Sequence, residues 1–281
     1  MKKHQFKHDY AIKIVSQNPS PFGVLFEGGN GIKCNGNGRC GTLGVFLQDP
    51  HNVPYMTTCG HVVVSLCQED VLIKEGNTMV KFATSDPALT LTTGNPHDTL
   101  VDIAVAKVEA SMTDRCMSSL RNEEGVSKPV IVDQSLPGSR ELDLPCVYKY
   151  GGVSRRTFGR IADSDYTIGK NTLFNTGSVI YIEDPPGGVT SEADNQLLFA
   201  EPGDSGAAIC GPDPDGQESR VIAVVLGGKM TFEHENEGKY FACLFHKSIS
   251  AIEEKANMNF RVYTNDLPVQ NAAAFPEHPA V

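Results

Sequence analysis

Apolar residues come in short runs separated by Gly, Asn, Asp and Pro. The first half carries FGVLF (22–26), TLGVFL (42–47), VPYMTT (53–58), VLIK (71–74), MVKFA (79–83) and DIAVAKV (102–108). The second half carries PVIV (129–132), CVYKY (146–150), TFGRIA (157–162), SVIYIE (178–183), QLLFA (196–200), VIAVVL (221–226) and KYFACLF (239–245). Runs of this length, rich in β-branched residues and bounded by turn formers, predict strands. No long helical pattern lies between them, so alternating βαβ units are not expected, and the class is an all-β sandwich or barrel. One segment reads as helix. HKSISAIEEKANM (246–258) places Ile249, Ile252 and Ala256 on one face and Glu253, Glu254 and Lys255 outward, where a C-terminal helix would dock.

The polar stretch ASMTDRCMSSLRNEEGVSK (110–128) parts the two groups of strands and predicts two β-domains. The expected organisation is a tail over 1–19, a first β-barrel over 20–115, a linker over 116–140, a second barrel with its helix over 141–262, and a tail over 263–281. The last segment, NDLPVQNAAAFPEHPAV, has three prolines and no periodicity.

With 281 residues, 40% of them hydrophobic and 21% charged, the chain can bury a core without staples. Its formal net charge of -10 argues against nucleic acid or an anionic membrane as partner. No run of about 18 apolar residues predicts a membrane span. The basic start, MKKHQFKH, is followed by no apolar signal core, so a cytoplasmic protein is expected. Its eight cysteines then read mostly as free thiols, although Cys34 and Cys40, flanking a Gly/Asn turn, could bridge in an oxidising setting. No cysteine or histidine spacing fits a zinc site, and neither a metal nor any other cofactor is expected.

Candidate chemistry centres on FAEPGDSGAAIC (199–210), in which a strand-like run enters a turn made of Glu201, Pro202, Gly203 and Asp204, just before Ser205. A serine nucleophile needs a base and a carboxylate to orient it. Of the histidines, His4, His8 and His278 lie in tails, His51, His97 and His234 in polar loops, and His246 opens the helix. His61 ends a predicted core strand; alone, it reads first as a satisfied core histidine. Asp102 opens a strand of apolar residues, where an unpaired charge costs several kcal/mol, and it is preferred over Asp98 in the loop GNPHD. Gly203 allows its own N–H and that of Ser205 to converge as an oxyanion hole. His61, Asp102 and Ser205 in that order form a much more specific signal than GDSG alone.

These blocks resemble the chymotrypsin-fold (trypsin-like) serine peptidases. MTTCGHVV (56–63) resembles the family's histidine block, VDIAVAKV (101–108) its aspartate strand and EPGDSGAAI (201–209) its serine loop; KYGGVSRRTFGRI (149–161) resembles a strand pair of intracellular members. The resemblance covers about 20–260. It implies two six-stranded antiparallel β-barrels with a C-terminal helix, and endopeptidase activity with His61 as base, Asp102 as its orienting group and Ser205 as nucleophile. A polypeptide substrate is implied, and a regulatory partner or larger assembly is compatible with it. A protease-fold binding module with little activity is the alternative. The substrate strand would run along Val225, Leu226, Gly227 and Gly228. By the family's spacing Phe199 would floor the main side-chain pocket, with Ala200 beside it and Glu201 at the rim, which implies small or apolar side chains rather than Lys or Arg.

Two departures stand out. Secreted relatives usually bridge a cysteine directly after the histidine to one before it, whereas Val62 follows His61 here; the usual second glycine after the serine is Ala207. Many secreted members are cut before an Ile-Val pair, and the new amino group pairs with the aspartate beside the serine. Lys13-Ile14-Val15 offers such a cut with Asp204 as receiver, but Ser16-Gln17 stands where Gly-Gly is usual. The other reading is an ordinary first strand, with Asp204 satisfied by internal hydrogen bonds.

Overall fold

The computed structural model describes residues 25–63, 67–93, 99–132, 146–168, 177–184, 198–213, 215–228 and 239–264. The first sheet contains β1 (Gly31–Cys34), β2 (Cys40–Thr42), β3 (Phe46–Gln48), β4 (Pro54–Thr58), β5 (Asp70–Glu75), β6 (Thr78–Thr84), β7 (Thr90–Thr93) and β8 (Val101–Val108). The second contains β9 (Ser119–Arg121), β10 (Ser127–Val132), β11 (Val147–Gly151), β12 (Arg155–Ile168), β13 (Gly177–Glu183), β14 (Ala208–Gly211), β15 (Ser219–Gly228) and β16 (Lys239–Leu244). Helix α1 (Phe245–Ala256) follows, and β17 (Arg261–Val262) returns to pair with β3 of the first sheet.

Both sheets close on themselves. In the first, β2 and β3 are one bent strand: its start pairs with β1, its end pairs with β4, and the Gly44 N–H between them reaches Thr57 O at 2.8 Å. The bend splits the run predicted at 42–47. With β2–β3 counted once and β7 and β17 left as edge additions, six strands make the ring. In the second, β11, β12, β13, β16, β15 and β14 form a closed ring, because β14 pairs with both β11 and β15. The architecture is therefore two six-stranded β-barrels and a C-terminal helix.

Strand period explains how the barrels join. Val147, Ile180, Ile182, Ile209, Ala223, Val225, Tyr240 and Ala242 form one buried cluster inside the second barrel. Their strand neighbours Tyr148, Val179, Cys210, Val224, Phe241 and Cys243 belong to the cluster that also holds the core of the first barrel. These strands are apolar on both faces because both faces are covered. At roughly 25 cal/mol per Å² of apolar area, the shared layer opposes separation of the barrels. In α1, Ile249 and Ile252 are buried as predicted and Ala256 is half-buried. Asn257, at φ 51°, ends the helix with its N–H directed to Glu253 and Glu254 carbonyls. Lys255 Nζ reaches the carbonyls of Pro87 (2.8 Å) and Thr90 (2.6 Å), tying the helix to the first barrel.

Several expectations change. Within the predicted linker (116–140), residues up to 132 form β9 and β10, and β10 lies parallel to β15 as part of the second sheet. Its polar residues are those of an edge, where one face meets solvent. The described end of QLLFA, residues 198–200, is not strand. Cys34, Cys40, Cys59, Cys116, Cys146, Cys210 and Cys243 are free thiols. Cys34 is buried with its Sγ directed to Glu69 Oε2 at 2.7 Å, whereas exposed Cys40 lies opposite Lys33, so the two thiols point to opposite faces. Of the tail expected over 263–281, Tyr263 is instead buried, with its N–H on Phe46 O at 3.0 Å; residues 1–24 and 265–281, with the rest of the predicted tails and the Lys13-Ile14 site, lie outside the described residues, as do His97 and Asp98.

Candidate active site

β4 leads into a short 3₁₀ turn, Gly60–Val62, that carries His61. A Cβ at Gly60 would stand 2.5 Å from Thr92 Oγ1, 2.7 Å from Leu91 O and 2.8 Å from Asp102 Oδ1, so only glycine lets the chain pass this close to the carboxylate. The turn brings two His61 groups onto Asp102: the backbone N–H to Oδ1 at 2.8 Å and ring Nδ1 to Oδ2 at 2.5 Å. Thr92, on β7, donates its hydroxyl to Oδ1 at 2.8 Å. Asp102 is fully buried, while the His61 side chain keeps 17% of its surface exposed. A buried carboxylate with three donors is compensated, and it holds the ring with Nδ1 turned inward.

The serine loop lies against the same turn. Thr42 N–H donates to Ser205 O at 2.8 Å, and Thr42 Oγ1 donates to Gly203 O at 2.9 Å. Gly206, at φ 97°, passes so close to the end of β4 that a Cβ would lie 2.4 Å from Thr58 Oγ1 and 3.0 Å from Cys59 N. The Asp204 N–H reaches Glu201 O at 2.9 Å with Gly203 at φ 105°. Pro202 and Gly203 thus fill the second and third places of a type II turn, for which they are the favoured residues. Among the described residues, no acceptor takes the N–H of Gly203 or of Ser205. The Ser205 hydroxyl donates to Leu226 O at 2.9 Å.

The expected specificity residues fall in two groups. Phe199 is fully buried: its ring packs edge-on against Tyr240 with centroids 5.5 Å apart, and Lys149 Nζ lies 5.4 Å from its centroid. Its N–H goes to Asp184 Oδ1 at 2.9 Å, and Tyr240 OH to Asp184 Oδ2 at 3.1 Å. Ala200, Val225 and Leu226 are buried as well, and Glu201 and Gly227 are half-buried. The pairing of β14 with β15 ends at Val224, and a Cβ on Gly227 would lie 3.8 Å from Ser205 Oγ, so the strand end Leu226–Gly228 runs beside the serine. Ala207 needs no glycine, since its methyl group is buried in the core of the second barrel.

Val62 stands where the resemblance would put a bridged cysteine. It is buried, and a Cβ on Gly41 would stand 2.8 Å from its Cγ2. Cys59 does not substitute: its thiol donates to Val225 O at 2.9 Å, and burial, then the Asp102 charge, push it well above its usual pKa. Cys59, His61 and Asp102 each offer a ligand atom within 4.8 Å of the others, a spacing a metal could bridge. Those atoms already serve the thiol–carbonyl and ring–carboxylate bonds.

Sequence reasoning missed Lys149, Ser154, Thr42 and Thr92. Lys149 is fully buried beside fully buried Asp204, with Nζ to Oδ2 at 2.9 Å. Its signal was strand parity: Lys149 is two residues from inward-facing Val147, so it too points into the second barrel. Burial pushes its ammonium below the usual lysine range against the opposing pull of Asp204. Burial would raise Asp204, but Lys149, the Ser154 hydroxyl and the Glu201 N–H outweigh it and hold the carboxyl below its usual range.

No family model and no curated protein matches the chain. Solved structures do. A Nocardiopsis protease (NAPase) is 17% identical with a TM-score of 0.51, over 84% of this chain and 98% of that one. Protease A of Thermobifida fusca is 15% identical at 0.53, over 85% and 100%. N4, a homologue of alpha-lytic protease, is 14% identical at 0.52, over 81% and 97%. The two closed barrels, the docked C-terminal helix and these structural matches give the chain the chymotrypsin fold.

Proposed function

We propose that the chain is a serine endopeptidase. Ser205 attacks a peptide carbonyl, and His61 takes its proton and returns it to the leaving amine. Asp102 holds the imidazole tautomer and stabilises its protonated form, and the N–H groups of Gly203 and Ser205 receive the oxyanion. Water then releases the acyl group. The observation that carries this reading is the double grip of Asp102 on His61, which a structural histidine does not need. To reach His61 the Ser205 hydroxyl leaves the Leu226 carbonyl by rotating about its Cα–Cβ bond. Catalytic hydrogen bonds of free enzymes are often formed only with substrate in place.

A substrate strand would lie along Leu226–Gly228, using backbone groups that β14 does not pair. Phe199 brings no charge to the pocket, and both oxygens of Asp184 are already bonded, so small or apolar side chains are the proposed preference. The free thiols, Cys34 and Cys40 among them, support a reducing compartment such as the cytoplasm, with a processing or regulatory role. Among the described residues no helix is long and apolar enough to cross a membrane. The alternative, a binding module on the same fold, has on its side the Ser205 bond to Leu226 O. A fluorophosphonate reagent separates the two: wild type labels and Ser205→Ala does not if the enzyme reading holds. A folded wild type that fails to label leaves the binding module.

A further inference from the structure

His61 and Ser205 come from different barrels, and a misplacement of about 1 Å between reacting groups can cost on the order of 10²-fold in rate. Asp102 fixes the N–H and the ring of His61 from the core side. The other end of the His61 turn faces the hairpin of β1 and β2. A helical turn leaves its last carbonyls without donors of its own, and His61 O and Val62 O are among them here. Both are met by side chains of residues 35–39, which join β1 to β2. Arg39 Nη1 donates to His61 O, and Asn37 Nδ2 donates to Val62 O at 3.2 Å.

The connecting turn is braced before it reaches across. Cys34 N–H donates to Arg39 O at 2.8 Å, Gly38 N–H to Cys34 O at 3.0 Å with Gly38 at φ 68°, and Asn35 N–H to Asp70 O at 2.9 Å. Asn37 is held at both ends of its amide, since Oδ1 accepts the Arg39 N–H at 2.8 Å. Beyond Arg39 the strand passes Val62, whose Cγ2 lies 2.8 Å from a Cβ on Gly41, and the Thr42 N–H donates to Ser205 O at 2.8 Å. We infer that the β1–β2 hairpin sets His61 against Ser205 in the proposed endopeptidase, with Arg39 and Asn37 as the positioning residues that hold the His61 turn. Both residues are exposed, so they add little to the core. Their loss lets the turn swing about its Asp102 anchor, away from a serine loop that Thr42 keeps in place.

The inference rests on the proposed role of Ser205, and its test separates the two. The full chain is treated with a series of fluorophosphonate concentrations beside Arg39→Ala, Arg39→Lys, Asn37→Asp and Lys33→Ala. Asn37→Asp keeps an acceptor for the Arg39 N–H and removes the donor to Val62 O. Lys33→Ala removes an exposed charge from the same hairpin, opposite Cys40. Expected is a maximal labelling rate about tenfold lower in Arg39→Ala, with the half-saturating concentration little changed. Arg39→Lys should recover part of the loss. Asn37→Asp should label several-fold more slowly, and Lys33→Ala within about twofold of wild type. Urea midpoints should stay near that of wild type, while amide hydrogen exchange quickens over residues 59–63 in Arg39→Ala and not elsewhere in the barrels. A folded Arg39→Ala that labels and exchanges as wild type overturns the inference and leaves the enzyme reading intact. Equal slowing in Lys33→Ala overturns it too, by assigning the effect to surface charge. A folded wild type that does not label removes the enzyme reading, and the inference with it.

Discussion

Lys149 and Asp204 form an ion pair at 2.9 Å from which solvent is wholly excluded. Each group alone in that place would be a buried charge without its counter-ion. Lys149→Met or Asp204→Asn should therefore cost about 3–5 kcal/mol of folding stability, read by urea unfolding. The double variant should cost less than the two single losses added together, since it leaves neither charge stranded. Strict additivity would show that the two side chains do not act as a unit.

Acid should reach the same pair. Asp204 is held below its usual pKa in the folded chain, so its stabilisation is complete above the unfolded value of about 3.9. It is lost as pH falls through the folded value, because the unfolded state then binds the proton first. Below about pH 4, unfolding free energy should fall less steeply in Asp204→Asn than in wild type. The largest difference for one proton is about 1.4 kcal/mol per pH unit.

Thr92 donates its hydroxyl to Asp102 from outside the His61 turn. Thr92→Val keeps the shape and removes the hydroxyl, and a hydrogen bond to a charged group is worth about 1.5–3 kcal/mol. The carboxylate then holds the imidazole less firmly. Fluorophosphonate labelling of Thr92→Val should slow by about tenfold or more, and Thr92→Ser should restore most of it. Equal loss in both variants would assign the effect to packing.

How much of this was legible follows from what each residue does. The strands, the helix and the order of His61, Asp102 and Ser205 rest on local pattern, which a sequence displays. Gly60 could be read only as a small residue before a histidine. Its real constraint, three oxygens within 2.8 Å of a Cβ, comes from β7 and β8, distant in the chain. Thr42 and Thr92 look like any strand threonine, because their partners lie across the fold. Lys149 was readable by parity alone, and the conflict of a lysine at an inward position marked a site under constraint. The linker failed as an expectation because an edge strand with one wet face has a loop's polarity.

Val62 and Gly41 face each other closely enough for a disulfide to be built between them. A Cβ on Gly41 would lie 2.8 Å and 2.9 Å from the two Cγ atoms of Val62. In a disulfide, each Cβ lies about 3 Å from the far sulfur, given an S–S bond near 2.04 Å. A sulfur in place of one Val62 methyl group is therefore within bonding reach of a sulfur on residue 41. Gly41→Cys with Val62→Cys should form the bridge under mild oxidation. The obstacle is Ser205 O, 3.0 Å from the new Cβ, which must give by a few tenths of an ångström. Closing a loop of this length is worth about 3 kcal/mol before strain, so the oxidised variant should unfold at higher urea than the same variant reduced. Because the strain falls on the carbonyl of Ser205, labelling of the oxidised form should slow by several-fold and recover on reduction. A double variant that stays reduced under oxidant would mean that positions 41 and 62 do not hold their side chains in a direction from which the bridge can close.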